Sequence, residues 1–128
     1  MKLNENELPI LAQLLRLEGN DERSLLAALA ARFKLRATAL TRGGKGSLLW
    51  HDGLFSEHPG LPVQVRDTVG AGDAFTAALA IGLLSDWPLD AINDRANRVA
   101  AYVCSQPGAT PSLPEELRAE FDPALATR

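Results

Sequence analysis

Apolar residues at helical spacing open the chain. Leu8, Leu11, Leu14, Leu15 and Leu17 recur within residues 7–18, and Gly19-Asn20 supplies a stop, which predicts a first helix. Asp21 is placed to cap a second helix, whose Leu25, Leu26, Leu29, Ala30 and Phe33 make one apolar face. Arg32, Lys34 and Arg36 near its end complement the helix dipole and read as a solvated helix end. Residues 37–41 read as a strand that runs into the glycine turn Gly43-Gly44-Lys45-Gly46, with residues 47–50 as its partner. His51-Asp52-Gly53 is a second turn, and residues 54–57 and 63–66 are further strand candidates across a Pro/Gly loop. After Asp67 a long helix runs to about Leu84, apolar around nearly its whole circumference, so burial on most sides is expected. Pro88 starts a helix over residues 89–105, and Pro114 starts a last one that reaches Phe121. Helices before and after a group of strands predict a layered α/β arrangement.

Composition narrows the picture without deciding it. The chain has 128 residues, 46% of them hydrophobic and 23% charged, which is ordinary for one soluble domain spanning residues 1–128. A net charge of −3 supplies no basic footprint for nucleic acid or an anionic membrane, and neither is expected as a partner. Cys104 is the single cysteine, so no internal disulfide can form; its apolar setting reads as a small buried hydrophobe. The polar run KLNENE at the start is unlike a secretory signal, and a reducing cytoplasm is the expected location. His51 and His58 have no metal-ligand spacing around them and read as solvent residues, while Trp50 and Trp87 read as packing residues.

The chemistry concentrates in Asp67-Thr68-Val69-Gly70-Ala71-Gly72-Asp73, between a strand candidate and the long apolar helix. Two glycines one residue apart let the backbone turn tightly and approach a ligand, and the helix start leaves unpaired N–H groups that suit phosphate oxygens. Gly70, Ala71 and Gly72 are therefore the expected anion hole. A carboxylate at Asp73 would repel phosphate unless it has another task, and accepting the proton of an attacking hydroxyl is that task. The bland alternative is a strand-to-helix turn with Asp73 as a cap. Lys45 lacks the glycine spacing of a P-loop, and Phe75 stands where a dinucleotide-binding loop needs its last glycine.

The string D-T-x-G-A-G-D followed by Ala74-Phe75 resembles the signature of the ribokinase-type (PfkB) carbohydrate kinases. Four further stretches fit that resemblance in order. Asn4-Glu5-Asn6-Glu7 is similar to the family's N-x-x-E motif, which implies that Asn4 and Glu7 support Mg²⁺ and phosphate through water. Residues 41–46 resemble its T-x-G-x-x-G turn, which implies that Thr41, Gly43 and Gly46 lie along the nucleotide. Asn97 occupies the position of a polar residue beside adenine. Residues 107–112 resemble a G-A-x-P-S turn, which implies a K⁺ site formed by Asp67, Val69, Val103, Gln106, Gly108 and Ser112. Each stretch also has a plain reading, as a helix cap, a glycine hairpin, a surface Asn and a Pro/Gly turn.

The resemblance implies a partial ribokinase-like three-layer α/β/α sandwich that lacks the N-terminal half and the lid. It implies ATP-dependent phosphoryl transfer to a sugar hydroxyl, with ATP and Mg²⁺, K⁺ where the cation site is used, and a sugar as acceptor. The sugar site is expected to be incomplete, because nothing matches the N-terminal sugar-binding segments. A sheet cut through its strands exposes unpaired backbone, so association is expected, either with a missing N-terminal half or with further copies of the chain. A non-catalytic nucleotide-binding or oligomerisation module, or part of a nucleoside kinase, are the alternatives.

Overall fold

The computed structural model describes residues 1–108 and 110–122. Strand β1 (Lys2–Asn4) leads into helix α1 (Glu7–Leu15) and helix α2 (Glu22–Phe33). Strand β2 (Ala37–Thr41) turns through a short 3₁₀ segment into β3 (Ser47–His51) and β4 (Leu54–His58). Helices α3 (Ala71–Leu84), α4 (Leu89–Ser105) and α5 (Glu115–Ala119) follow. The sheet order is β1-β2-β3-β4, with β1 parallel to β2 and the remaining pairs antiparallel.

Strand alternation builds the layers. Leu40 pairs with Leu48 and Ala39 with Leu49, so successive residues of β2 and β3 supply opposite faces of the sheet. Leu3, Leu40 and Leu48 pack with Leu8, Leu26 and Leu29 of α1 and α2. Ala39 and Leu49 pack with Phe75, Ala78, Leu79, Ile92 and Ala96 of α3 and α4, and with Trp87. The result is the expected α/β/α sandwich. Asp21 caps α2 by accepting the Ser24 N–H at 2.8 Å.

Several expectations need correction. Residues 63–66 form no strand, because after β4 the chain leaves the sheet and runs as irregular backbone towards α4, where the N–H groups of Arg66 and Asp67 donate to the Cys104 carbonyl. Helix α3 is not buried on most sides: Phe75, Ala78, Leu79 and Gly82 face the core, whereas Ile81 and Leu84 are exposed, Leu84 at 87%. Its outward face therefore has no cover among the described residues. Helix α1 stops at Leu15 because Arg16 adopts a left-handed conformation, and α5 is a short helix rather than one that reaches Phe121. Arg36 is not simply solvated, since it pairs with Asp52 at 3.0 Å, and Arg32 donates to the Leu15 carbonyl.

The helical layer beneath the site rests on one close approach. A Cβ at Gly82 would lie 2.6 Å from Ile92 Cγ1, where α3 and α4 pack. Overpacking of this kind costs roughly 1–3 kcal/mol. Gly82→Val should accordingly lower the thermal midpoint by several degrees. Gly44→Ala, at a position with open space around it, should leave it within about a degree. Equal midpoints by circular dichroism would contradict this packing.

Candidate active site

The signature loop is built to keep its amides free. Asp67 Oδ1 accepts the Val69 N–H at 2.9 Å, and Gly70 has φ 87°, a left-handed conformation suited to glycine at the N-cap of α3. The first regular helical bond is Ala74 N–H to the Gly70 carbonyl at 2.9 Å, and Ala71 N–H reaches the Thr68 carbonyl only at 3.4 Å. The N–H groups of Gly72 and Asp73 have no acceptor among the described residues. Both belong to the first turn, where the helix offers none, so they remain donors for an anion.

A cavity of about 320 Å³ opens beside that turn, lined by Thr68, Ala71 and Gly72 of the loop. It brings together Asn4, Thr41, Gly43, Gly46 and Asn97, which the chain contributes from β1, the end of β2, the β2–β3 turn and α4. Its size lies within the range of roughly 300–1,000 Å³ usual for small-molecule sites. Asn4 Oδ1 accepts the N–H groups of Asn6 and Glu7 at 2.9 and 2.8 Å, and Glu7 Oε1 accepts the Asn4 N–H at 3.1 Å. The N-x-x-E stretch is thus a reciprocal capping box that fixes Asn4 against the cavity. Glu7 is exposed and does not line it. Asn97 forms a wall braced from behind: its Nδ2 donates to Ser47 Oγ at 2.8 Å and to both oxygens of Asn93.

Asp73 is exposed and lines a second cavity of about 500 Å³, which Gly72 does not line. That cavity also includes Gly70 but is otherwise mostly apolar, with Val69, Ala77, Ile81, Val103 and Phe121. The proposed cation ligands come together only in part. Arg66 and Asp67 N–H groups donate to the Cys104 carbonyl at 2.8 and 3.1 Å, which brings Asp67 to the end of α4 where Val103 and Gln106 lie. The Ser112 carbonyl accepts the Tyr102 hydroxyl at 3.1 Å. No hydrogen bond joins Gly108 or Ser112 to Asp67 or Val69 among the described residues, and Ala109 between them lies outside those residues.

Three side chains differ from their sequence reading. A Cβ built on Gly72 would lie 2.9 Å from Lys2 Nζ, so an ammonium group stands beside the free amides, and Lys2 lines the same cavity. The available signal was strand alternation, which sets Lys2 and Asn4 on one side of β1. Cys104 is half-buried rather than buried and also lines the cavity. His58 is a bonded residue, not a solvent residue: its side chain is only 14% exposed and contacts Asp94 and Gly60.

The fold and this site define an α/β protein with free amides at the head of α3, and the comparisons fix its family. The description "pfkB family carbohydrate kinase" matches residues 1–116, and the chain belongs to that family. It is 32% identical to a fructokinase of Escherichia coli over 103 residues, which is 74% of this chain and 34% of the fructokinase. It superposes on the ribokinase of Thermotoga maritima with a TM-score of 0.73 at 25% identity, covering 94% of this chain and 41% of that one. An Arabidopsis thaliana ribokinase complexed with ribose and ATP gives a TM-score of 0.72 at 27% identity, covering 94% of this chain and 39% of that one. The chain spans about a third of the length of the fructokinase it matches.

Burial pushes the Cys104 thiol above its ordinary pKa, and the charge of Asp67 adds to the rise. A raised pKa leaves less thiolate at a given pH. Alkylation by iodoacetamide at pH 8 should therefore be slower than for free cysteine. An alkylation rate equal to that of free cysteine would contradict this environment.

Proposed function

We propose that this chain is the ATP-binding, base-carrying C-terminal portion of a kinase that transfers a phosphoryl group to a sugar hydroxyl. The observation that carries the reading is the pair of free amides at Gly72 and Asp73, with Gly72 beside the Lys2 ammonium and lining a cavity that also holds Asn4, Thr41, Gly43, Gly46 and Asn97. Gly70, Ala71 and Gly72 form the anion hole for the migrating phosphoryl group, and Lys2 adds a point charge there. Asp73 orients the attacking hydroxyl and accepts its proton. In a loose transition state the proton leaves late, so an exposed carboxylate that mainly orients the nucleophile suffices.

Bound Mg²⁺ would neutralise charge between the phosphates. The capping box suits an indirect role here, because it holds the Asn4 and Glu7 oxygens in place without aiming Glu7 into the cavity. The donor set proposed for K⁺ is oxygen only, which suits a weakly hydrated cation: the Asp67 carboxylate with oxygens of Val69, Val103, Gln106, Gly108 and Ser112. The apolar lining around Asp73 favours further polypeptide as the source of sugar contacts, since hydroxyls need hydrogen-bonding partners. Strand β1 has an unpaired edge among the described residues, and the outward face of α3 exposes Ile81 and Leu84. Both fit a partner segment, covalent or separate, that continues the sandwich. The same feature supports the second reading, a nucleotide-binding module without transferase activity when that segment is missing.

Titration calorimetry on the chain should detect MgATP binding, and Lys2→Met should weaken it by about 5- to 30-fold, as loss of a charged hydrogen-bond donor implies. In the polypeptide that completes the sugar site, Asp73→Asn should lower turnover at least ~10²-fold and leave MgATP affinity within a few-fold. Unchanged turnover would remove Asp73 from its role. Light scattering with a hydrophobic dye tests the partner surface: the isolated chain should self-associate or bind the dye, and a dye-silent monomer would contradict it.

A further inference from the structure

The nucleotide cavity has one wall with little regular structure behind it, the segment that follows β4. Gly60, Leu61, Val63 and Val65 of that segment line the cavity, and none of them belongs to a strand or helix. Gly60 is seated directly on the β2–β3 turn. A Cβ added to it would lie 2.6 Å from the Gly44 carbonyl oxygen and 2.8 Å from the Gly46 nitrogen. A Cβ on Gly46 would in turn lie 1.8 Å from the His58 carbonyl oxygen. The two glycines therefore meet backbone to backbone, with φ of 93° at Gly46 and 86° at Gly60.

Close packing excludes side chains there but does not fix the height of the wall, because glycine backbone is permissive. The Gly60 N–H supplies the fixing: it donates to His58 Nδ1 at 3.0 Å. A ring nitrogen that accepts must carry a lone pair, so the proton sits on Nε2, which donates to Asp94 Oδ1 at 3.2 Å. Asp94 Oδ2 is held by Arg98 Nε at 3.1 Å, and the Arg98 guanidinium is paired with Glu120. Asp94 and Arg98 flank Asn97 on α4, so the tie runs from one cavity wall to the helix that supplies another.

We propose that His58 is a positioning residue for the nucleotide cavity, holding Gly60 against the Gly43–Lys45 turn by accepting the Gly60 N–H. The proposal rests on the nucleotide reading given above. His58 does not line the cavity itself, and it acts through Gly60.

The two halves of the tie can be separated. Asn at position 58 keeps an acceptor where Nδ1 stands, since an Asn side chain bonds the N–H two residues on, but cannot reach Asp94. Gln can reach towards Asp94 but has no acceptor at the Nδ1 position. Titration calorimetry with MgATP and MgADP on the full chain, with affinities corrected to the folded fraction, should give His58→Asn within about 2-fold of the unaltered protein and His58→Gln weaker by about 5- to 10-fold. Hydrogen exchange should find the Gly60 amide protected in the unaltered protein and in His58→Asn, and unprotected in His58→Gln. Equal affinity of folded His58→Gln and the unaltered protein would overturn the proposal, even if the thermal midpoint falls. So would His58→Asn as weak as His58→Gln. An unaltered protein that binds neither nucleotide would reject the nucleotide reading and the positioning role with it, and a protected Gly60 amide would then identify the tie as purely structural.

Discussion

An α-helix has no internal acceptors for its first amides, and in this protein the head of α3 leaves those of Gly72 and Asp73 unsatisfied, with Gly72 lining an open cavity. The surrounding structure keeps them so. Asp67 spends its carboxylate on the Val69 N–H and does not cap the helix, and Gly70 takes the left-handed turn that sends the chain into α3 without a side chain over the amides. The loop is held from behind by the Cys104 carbonyl, which accepts from Arg66 and Asp67. With the loop fixed at both ends, the donors are in place before any ligand arrives, which is the condition for electrostatic stabilisation without reorganisation.

The sandwich then brings the remaining groups to that point. Parallel pairing of β1 with β2 sets Asn4 beside Thr41, and the β2–β3 turn carries Gly43 and Gly46 past the same place. On the sheet face towards α4, Ser47 and Ser56 are tied to Asn93, and Asn97 joins the network through Ser47. These buried polar residues look costly in an otherwise apolar layer. Their hydrogen bonds hold α4 in one position relative to the strands, and hence hold the wall at Asn97.

Much of this was legible in the sequence. The leucine spacing gave α1 and α2, short runs bounded by glycine turns gave β2 to β4, and the D-T-x-G-A-G-D string located the loop and Asp73. What escaped has physical reasons. Residues 63–66 alternate like a strand, yet the chain there makes its bonds to α4 instead of to β4, and no local pattern encodes that choice. Helix α3 is apolar all round, and periodicity cannot say which of its faces has a neighbour; Leu84 proves to be exposed. Lys2 and His58 matter only through groups that the fold brings near them, Gly72 in one case and Gly60 with Asp94 in the other. Isolated polar residues carry no periodic signal.

Nuclear magnetic resonance observes the Gly72 and Asp73 amides individually. With ¹⁵N-labelled chain, stepwise addition of MgADP should shift the Gly72 and Asp73 amide resonances most, while Gly82 in the same helix stays in place. Perturbation confined to other residues, with Gly72 and Asp73 unmoved at saturating nucleotide, would contradict an anion site at the head of α3.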